Sequence, residues 1–100
     1  MEPRRKPTHP GEILRKDFIE PLGLTQSALA ASLKTTFRTI NEILNGKRNI
    51  SPDMALRLAR YFGTSEELWL NLQDRHDLYR ARVKGKELLR GIKPYGKAVA

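Results

Sequence analysis

The sequence predicts an all-α domain of five helices, and three observations carry that prediction. No segment alternates apolar and polar residues over strand length beside β-branched clusters, and the connections are too short for crossovers. Helix punctuation recurs instead: Pro10, Thr25, Ser51 and Thr64 stand where helices begin, and Gly23, Gly46 and Gly63 where they stop. Finally, one hundred residues, 39% hydrophobic and 7% aromatic, supply one modest core but not two layers around a deep substrate cavity.

The first helix is expected to begin at Pro10, whose fixed φ suits the first helical position, with Glu12 in the positive end of the dipole. It carries Ile13, Leu14 and Phe18 and ends before Pro21-Leu22-Gly23. A second, short helix follows Thr25 with Leu29, Ala30 and Leu33 on its inner face. The third spans about Thr36 to Asn45 on an apolar stripe of Ile40, Ile43 and Leu44. Ser51-Pro52-Asp53 opens the fourth, where Ala55, Leu58, Ala59 and Phe62 follow helical spacing. Thr64-Ser65-Glu66-Glu67 reads as a capping box for the fifth, which carries Leu68, Trp69 and Leu72 and continues as far as Tyr79. Beyond Val83, Gly85, Gly91, Pro94 and Gly96 weaken any further helix. The chain divides into an N-terminal extension (1–8), a helical domain (9–79) and a C-terminal tail (80–100).

Nineteen Lys and Arg stand against eleven Asp and Glu, for a net charge of +8, which points to a polyanionic partner. The excess is uneven. Residues 1–50 carry +4, residues 51–78 carry −2 and residues 79–100 carry +6. The absence of cysteine excludes disulfides and thiolate metal sites. With no apolar run near the roughly 20 residues that span a bilayer, and no signal region after Lys6, a soluble intracellular protein is expected.

Helices two and three are short and tightly joined, so they must cross steeply, as in a helix-turn-helix over about 25–45. Ala30 suits the crossing point, and Leu29, Leu33, Ile40 and Ile43 are its buried positions. That leaves Thr36, Phe37, Arg38, Thr39, Asn41 and Glu42 on the outside of the third helix. Arg reads guanine O6 and N7, Asn reads adenine N6 and N7, and apolar groups meet the thymine methyl. Gln26 at the start of the second helix, Lys34 in the turn, and Lys47 and Arg48 past the third are placed for phosphate contacts.

Residues 24–50 resemble the helix-turn-helix of phage-repressor (Cro/C1, XRE-type) proteins, a λ-repressor-like domain. His9-Pro10-Gly11-Glu12-Ile13-Leu14, Pro21-Leu22-Gly23-Leu24-Thr25-Gln26, Ile50-Ser51 and Phe62-Gly63-Thr64-Ser65 with Trp69 and Leu72-Gln73 narrow the resemblance to the HigA/VapI antitoxins, over about residues 8–80. The resemblance implies a dimeric DNA-binding protein of the bacterial cytoplasm, nucleoid-associated when on DNA, that represses its own operon. It also implies neutralisation of a HigB-type toxin, an mRNA-cleaving nuclease of RelE-like fold. By position, Gln26 contacts phosphate, and Thr36, Phe37, Arg38, Thr39 and Asn41 face the major groove. The chain departs from the family at the turn, where Lys34 and Thr35 replace a common glycine and apolar residue; a positive φ at Lys34 would cost energy glycine avoids.

Other readings are weaker. His9 is expected to be a cap or surface group, and His76 stands among Asp74, Arg75 and Asp77 without a second histidine at ligand spacing, so neither a metal nor a cofactor is expected. No nucleophile-elbow or metalloprotease pattern occurs, and the chain does not read as an enzyme. Trp69 reads first as core. Yet Leu68, Trp69, Leu70, Leu72 and Leu78 cover more than one face of the last helix, which points to a homodimer interface at Leu68, Trp69, Leu72 and Leu78 and hence to a palindromic operator. The basic tail lacks the aromatic and leucine-rich face of an interfacial helix, so no membrane contact is expected, and it reads as a phosphate-binding arm or a segment ordered by a partner. The alternatives to an antitoxin are a stand-alone repressor without a toxin, or an interaction module whose DNA binding is incidental.

Overall fold

His9, Pro10 and Gly11 start the fold, each for a different reason. The structure, a computed structural model, describes residues 7–96; the expected N-terminal extension up to residue 6 and the tail from 97 lie outside the described residues. His9 is the N-cap of α1 (Pro10–Ile13), and its Nδ1 accepts the Gly11 N–H at 2.9 Å. Pro10 occupies the first helical position and is fully buried. Gly11 lies against the backbone of the third helix in the bundle, where a Cβ would collide with the Ile43 carbonyl oxygen.

The helix then widens to a π-helical segment over Leu14–Ile19 and returns to α geometry in α2 (Glu20–Leu22). It therefore runs through Pro21 rather than ending before it. A proline ring crowds the carbonyl four residues back and gives it no N–H. The wider turn just ahead, in which the Glu20 N–H reaches the Arg15 carbonyl, shifts the pairing register at that point. Gly23, at φ 63°, closes the rod.

The remaining helices are α3 (Gln26–Leu33), α4 (Phe37–Leu44), α5 (Pro52–Phe62), α6 (Glu66–Lys84) and α7 (Lys86–Arg90). Hydroxyl caps begin four of them: Thr25 accepts from Ala28 N–H at 3.0 Å, Thr36 from Thr39 at 3.1 Å, Ser51 from Met54 at 3.1 Å and Ser65 from Leu68 at 3.1 Å. The last differs from the expected capping box by one residue. Thr64 is occupied elsewhere, accepting the Trp69 indole N–H at 2.8 Å. Thr36, expected inside the third helix, is its cap.

The core gathers Leu14, Leu29, Ala30, Leu33, Ile40, Ile43, Ile50, Ala55, Leu58 and Trp69, so the expected crossing residues are all buried. Trp69 has no exposed surface, and Phe18 lies 5.1 Å from it, ring centre to ring centre. It therefore belongs to the core of one chain and not to a surface that could meet a second. Gln73 joins α6 to the loop before α5: its Oε1 accepts the Ile50 N–H at 2.7 Å and its Nε2 donates to Asp77 at 2.9 Å.

Past His76, α6 leaves the core, and most residues from Leu78 to Gly96 are exposed. The described chain measures 53 × 23 × 23 Å in consequence. Two expectations are corrected here. The fifth helix runs beyond Tyr79 to Lys84, and α7 forms in the segment where glycines were expected to weaken helix. Arg82 and Lys84 suit the negative end of α6, while Lys86-Glu87-Leu88-Leu89-Arg90 is a run of helix formers between Gly85 and Gly91.

Candidate nucleic-acid interface

The turn between α3 and α4 is built on a strained lysine. Lys34 takes φ 58° and ψ 46°, the left-handed geometry that glycine adopts without cost, and is the one non-glycine with positive φ among the described residues. Its neighbours compensate. The Thr35 N–H returns to the Ala30 carbonyl at 2.9 Å, and Arg57 of α5 donates Nη1 to the carbonyls of Leu33 and Lys34 at 3.0 and 2.8 Å. Asp53 holds the Arg57 Nε at 3.1 Å. Arg15 similarly caps the far end of α4, donating to the Leu44 carbonyl at 3.1 Å. Together with Gly11 against Ile43, these contacts hold the turn that leads into α4 and the C-terminal end of α4, while its outer face stays exposed.

That face begins with Thr36, Phe37 and Arg38, all exposed, followed by Thr39 and Asn41, both half-buried. The Thr36 and Thr39 hydroxyls lie 2.9 Å apart. Asn41 donates Nδ2 to Gln26 Oε1 at 3.0 Å, and its own Oδ1 accepts from Asn45 at 3.1 Å. The Gln26 side chain, expected at a phosphate, orients Asn41 here, and one Nδ2 hydrogen and one Oδ1 lone pair of Asn41 have no partner among the described residues. Lys47 and Arg48 are exposed just past α4. Lys34 is exposed too, but beside Arg57, Arg60 and Tyr61 of α5.

Sequence reasoning placed Glu42 on this surface without giving it a role. It accepts from Arg38 Nε at 3.0 Å and from Arg48 Nε at 2.9 Å, and these two guanidinium hydrogen bonds, Arg38 first, hold its carboxyl below the usual carboxylate range. The Arg38–Glu42 spacing of four was a readable signal. Arg57, reaching the turn across 23 residues, left none.

The two histidines pack against each other. His9 caps α1 as anticipated, but His76 is buried, and the two rings meet edge to face at 4.8 Å. His9 Nε2 and His76 Nδ1 are buried without hydrogen-bond partners among the described residues. Burial first, and His76 next, depress the His9 pKa below the ordinary histidine value. No group of three or more potential metal-ligating residues exists among the described residues, and no helix there is long and apolar enough to cross a membrane.

The helix-turn-helix family profile HTH_3 matches residues 16–69. Virulence-associated protein I of Dichelobacter nodosus is 49% identical over 73 residues, covering 73% of this chain and 68% of its own. Antitoxin HigA-1 of Vibrio cholerae is 35% identical over 91 residues, covering 91% of this chain and 86% of its own. Among solved structures, Pseudomonas aeruginosa antitoxin HigA with the higBA promoter superposes with a TM-score of 0.86 at 43% identity, covering 89% of this chain and 98% of that one.

Proposed function

Since this chain belongs to the helix-turn-helix family, among its HigA/VapI antitoxins, we propose that it binds operator DNA, represses its own operon and neutralises a RelE-like mRNA-cleaving toxin. The observation that carries the DNA half is the outer face of α4. Thr36, Phe37 and Arg38 project from its start, Asn41 is oriented by Gln26, and the helix is fixed from behind by Arg15, Arg57 and the Gly11 contact. A rigid helix offering three or four side chains of this chemistry suits a major groove. Gln26, Lys47 and Arg48 flank it with donors for phosphate.

The protein acts as a homodimer on a palindrome. Leu68 and Leu78 remain exposed on α6 (36% and 51%), whereas Leu72 is half-buried against the core and Trp69 is inside it. The interface is therefore assigned to Leu68 and Leu78, with Leu72 at its edge. The role is binding rather than catalysis, and it belongs in the cytoplasm, where operator DNA and mRNA-cleaving toxins meet. The toxin half rests on the likeness to HigA antitoxins alone.

Co-expression with the product of the neighbouring reading frame tests the whole reading. The expected result is growth rescue and co-purification of a complex that retains DNA upstream of the operon. A neighbour that is harmless and does not co-purify would leave a stand-alone repressor.

A further inference from the structure

We propose that Glu42 is a specificity-determining positioning residue, whose carboxylate turns Arg38 toward a base and Arg48 toward the DNA backbone. The proposal rests on the DNA-binding reading above. Glu42 is the one acid in residues 21–50, and a carboxylate on a surface facing a polyanion opposes binding by charge alone. Its geometry supplies a reason for its presence. Arg38, whose side chain is 84% exposed, gives only its Nε to Glu42 Oε2. Both terminal nitrogens of that guanidinium stay unused among the described residues, and they form the fork that matches guanine O6 and N7. Arg48 approaches from the other side: its Nε donates to Glu42 Oε1 at 2.9 Å, and its Nη2 lies 2.7 Å from the same oxygen in the ion pair. Arg48 stands past the end of α4, away from the first turn that carries Arg38, and there its remaining N–H groups suit a phosphate oxygen.

One carboxylate thereby gives two similar cations different tasks. Held in advance, each arginine loses less rotamer freedom on docking, a saving of about 2- to 12-fold in affinity per side chain. Because Glu42 also repels phosphate, it weakens binding to arbitrary DNA while favouring the site that Arg38 reads.

The test measures Glu42→Gln and Glu42→Asp against two duplexes of equal length: the best site selected from a randomised pool, and a shuffled version. Melting temperature and far-UV circular dichroism confirm that both variants fold. Glu42→Gln is expected to bind the shuffled duplex more tightly and with a steeper salt dependence, while the selected-to-shuffled ratio falls at least about 5-fold. Glu42→Asp, too short to span both arginines, is expected to lose the ratio without that gain. The guanine whose replacement costs wild type much and Arg38→Ala nothing is expected to matter less in both variants. An equal rise on both duplexes for Glu42→Gln would make Glu42 a simple repulsive charge and overturn the proposal, as would a full ratio in Glu42→Asp. Wild type that does not discriminate the two duplexes would instead overturn the DNA-binding reading itself.

Discussion

Arg38 carries the sharpest expectation at the scale of single residues. Its terminal guanidinium nitrogens have no partner among the described residues, and its side chain projects from the first turn of α4. Arg38→Ala is expected to weaken operator binding by about 1–3 kcal/mol and to relax base preference at one position, read by selection from a randomised pool. Unchanged preference would move the recognition surface elsewhere. Lys34 separates folding from binding. Glycine relieves the left-handed strain, so Lys34→Gly is expected to raise stability by about 1 kcal/mol in denaturant unfolding. If the lysine is retained for a phosphate, the same variant loses DNA affinity at low salt while melting higher.

At the scale of elements, α1 and α6 meet through the two histidines, and that contact is sensitive to pH. The folded-state pKa of His9 lies below its unfolded value because burial and His76 disfavour the charged ring. The neutral form therefore stabilises the fold. This contribution is fully present above about pH 6.5, the ordinary histidine value, and is lost as pH falls below it. His9→Asn keeps an acceptor for the α1 cap but does not titrate, so its melting temperature is expected to fall less than that of wild type between pH 7.5 and 5.5. Trp69→Ala removes the largest fully buried side chain and is expected to cost about 3–5 kcal/mol of stability, measured by chemical denaturation.

Elements also show what was legible in advance. The buried Leu29, Ala30, Leu33, Ile40 and Ile43 followed from helical spacing, and the caps at Thr25 and Ser51 from local chemistry, because both signals are short-range. The same holds for Thr36, Phe37 and Arg38, left outside once the buried face was assigned. Contacts between distant segments were not legible. Arg57 at the turn, Arg15 at the end of α4, the pairing of His9 with His76 and the amide link from Gln26 to Asn41 depend on how helices pack, and no spacing rule encodes them. The helix through Pro21 was missed because a π turn is set by register and not by composition.

On the scale of the whole molecule, the charge divides as the shape does. The acidic stretch 51–78 builds α5 and the core half of α6, while the largest block of basic excess, +6, falls in residues 79–100, which include the end of α6 and α7. An arm with Lys86, Arg90 and Lys93 exposed beyond the core is suited to phosphate contacts that carry no sequence information. Removing residues 86–100, which leaves α6 whole, is expected to flatten the dependence of DNA affinity on salt without changing the preferred sequence. An unchanged slope would assign the arm to a protein partner.

The proposed function depends above all on α4 reading DNA. Its most direct test is a binding titration of the full chain against the DNA upstream of its own coding sequence, beside a shuffled duplex of equal length and composition. Discrimination of at least about 10³-fold at physiological salt is the predicted result, in keeping with specific recognition by this class of motif. Equal affinity for the two duplexes would contradict it and reduce the basic surface to a general attraction for polyanions.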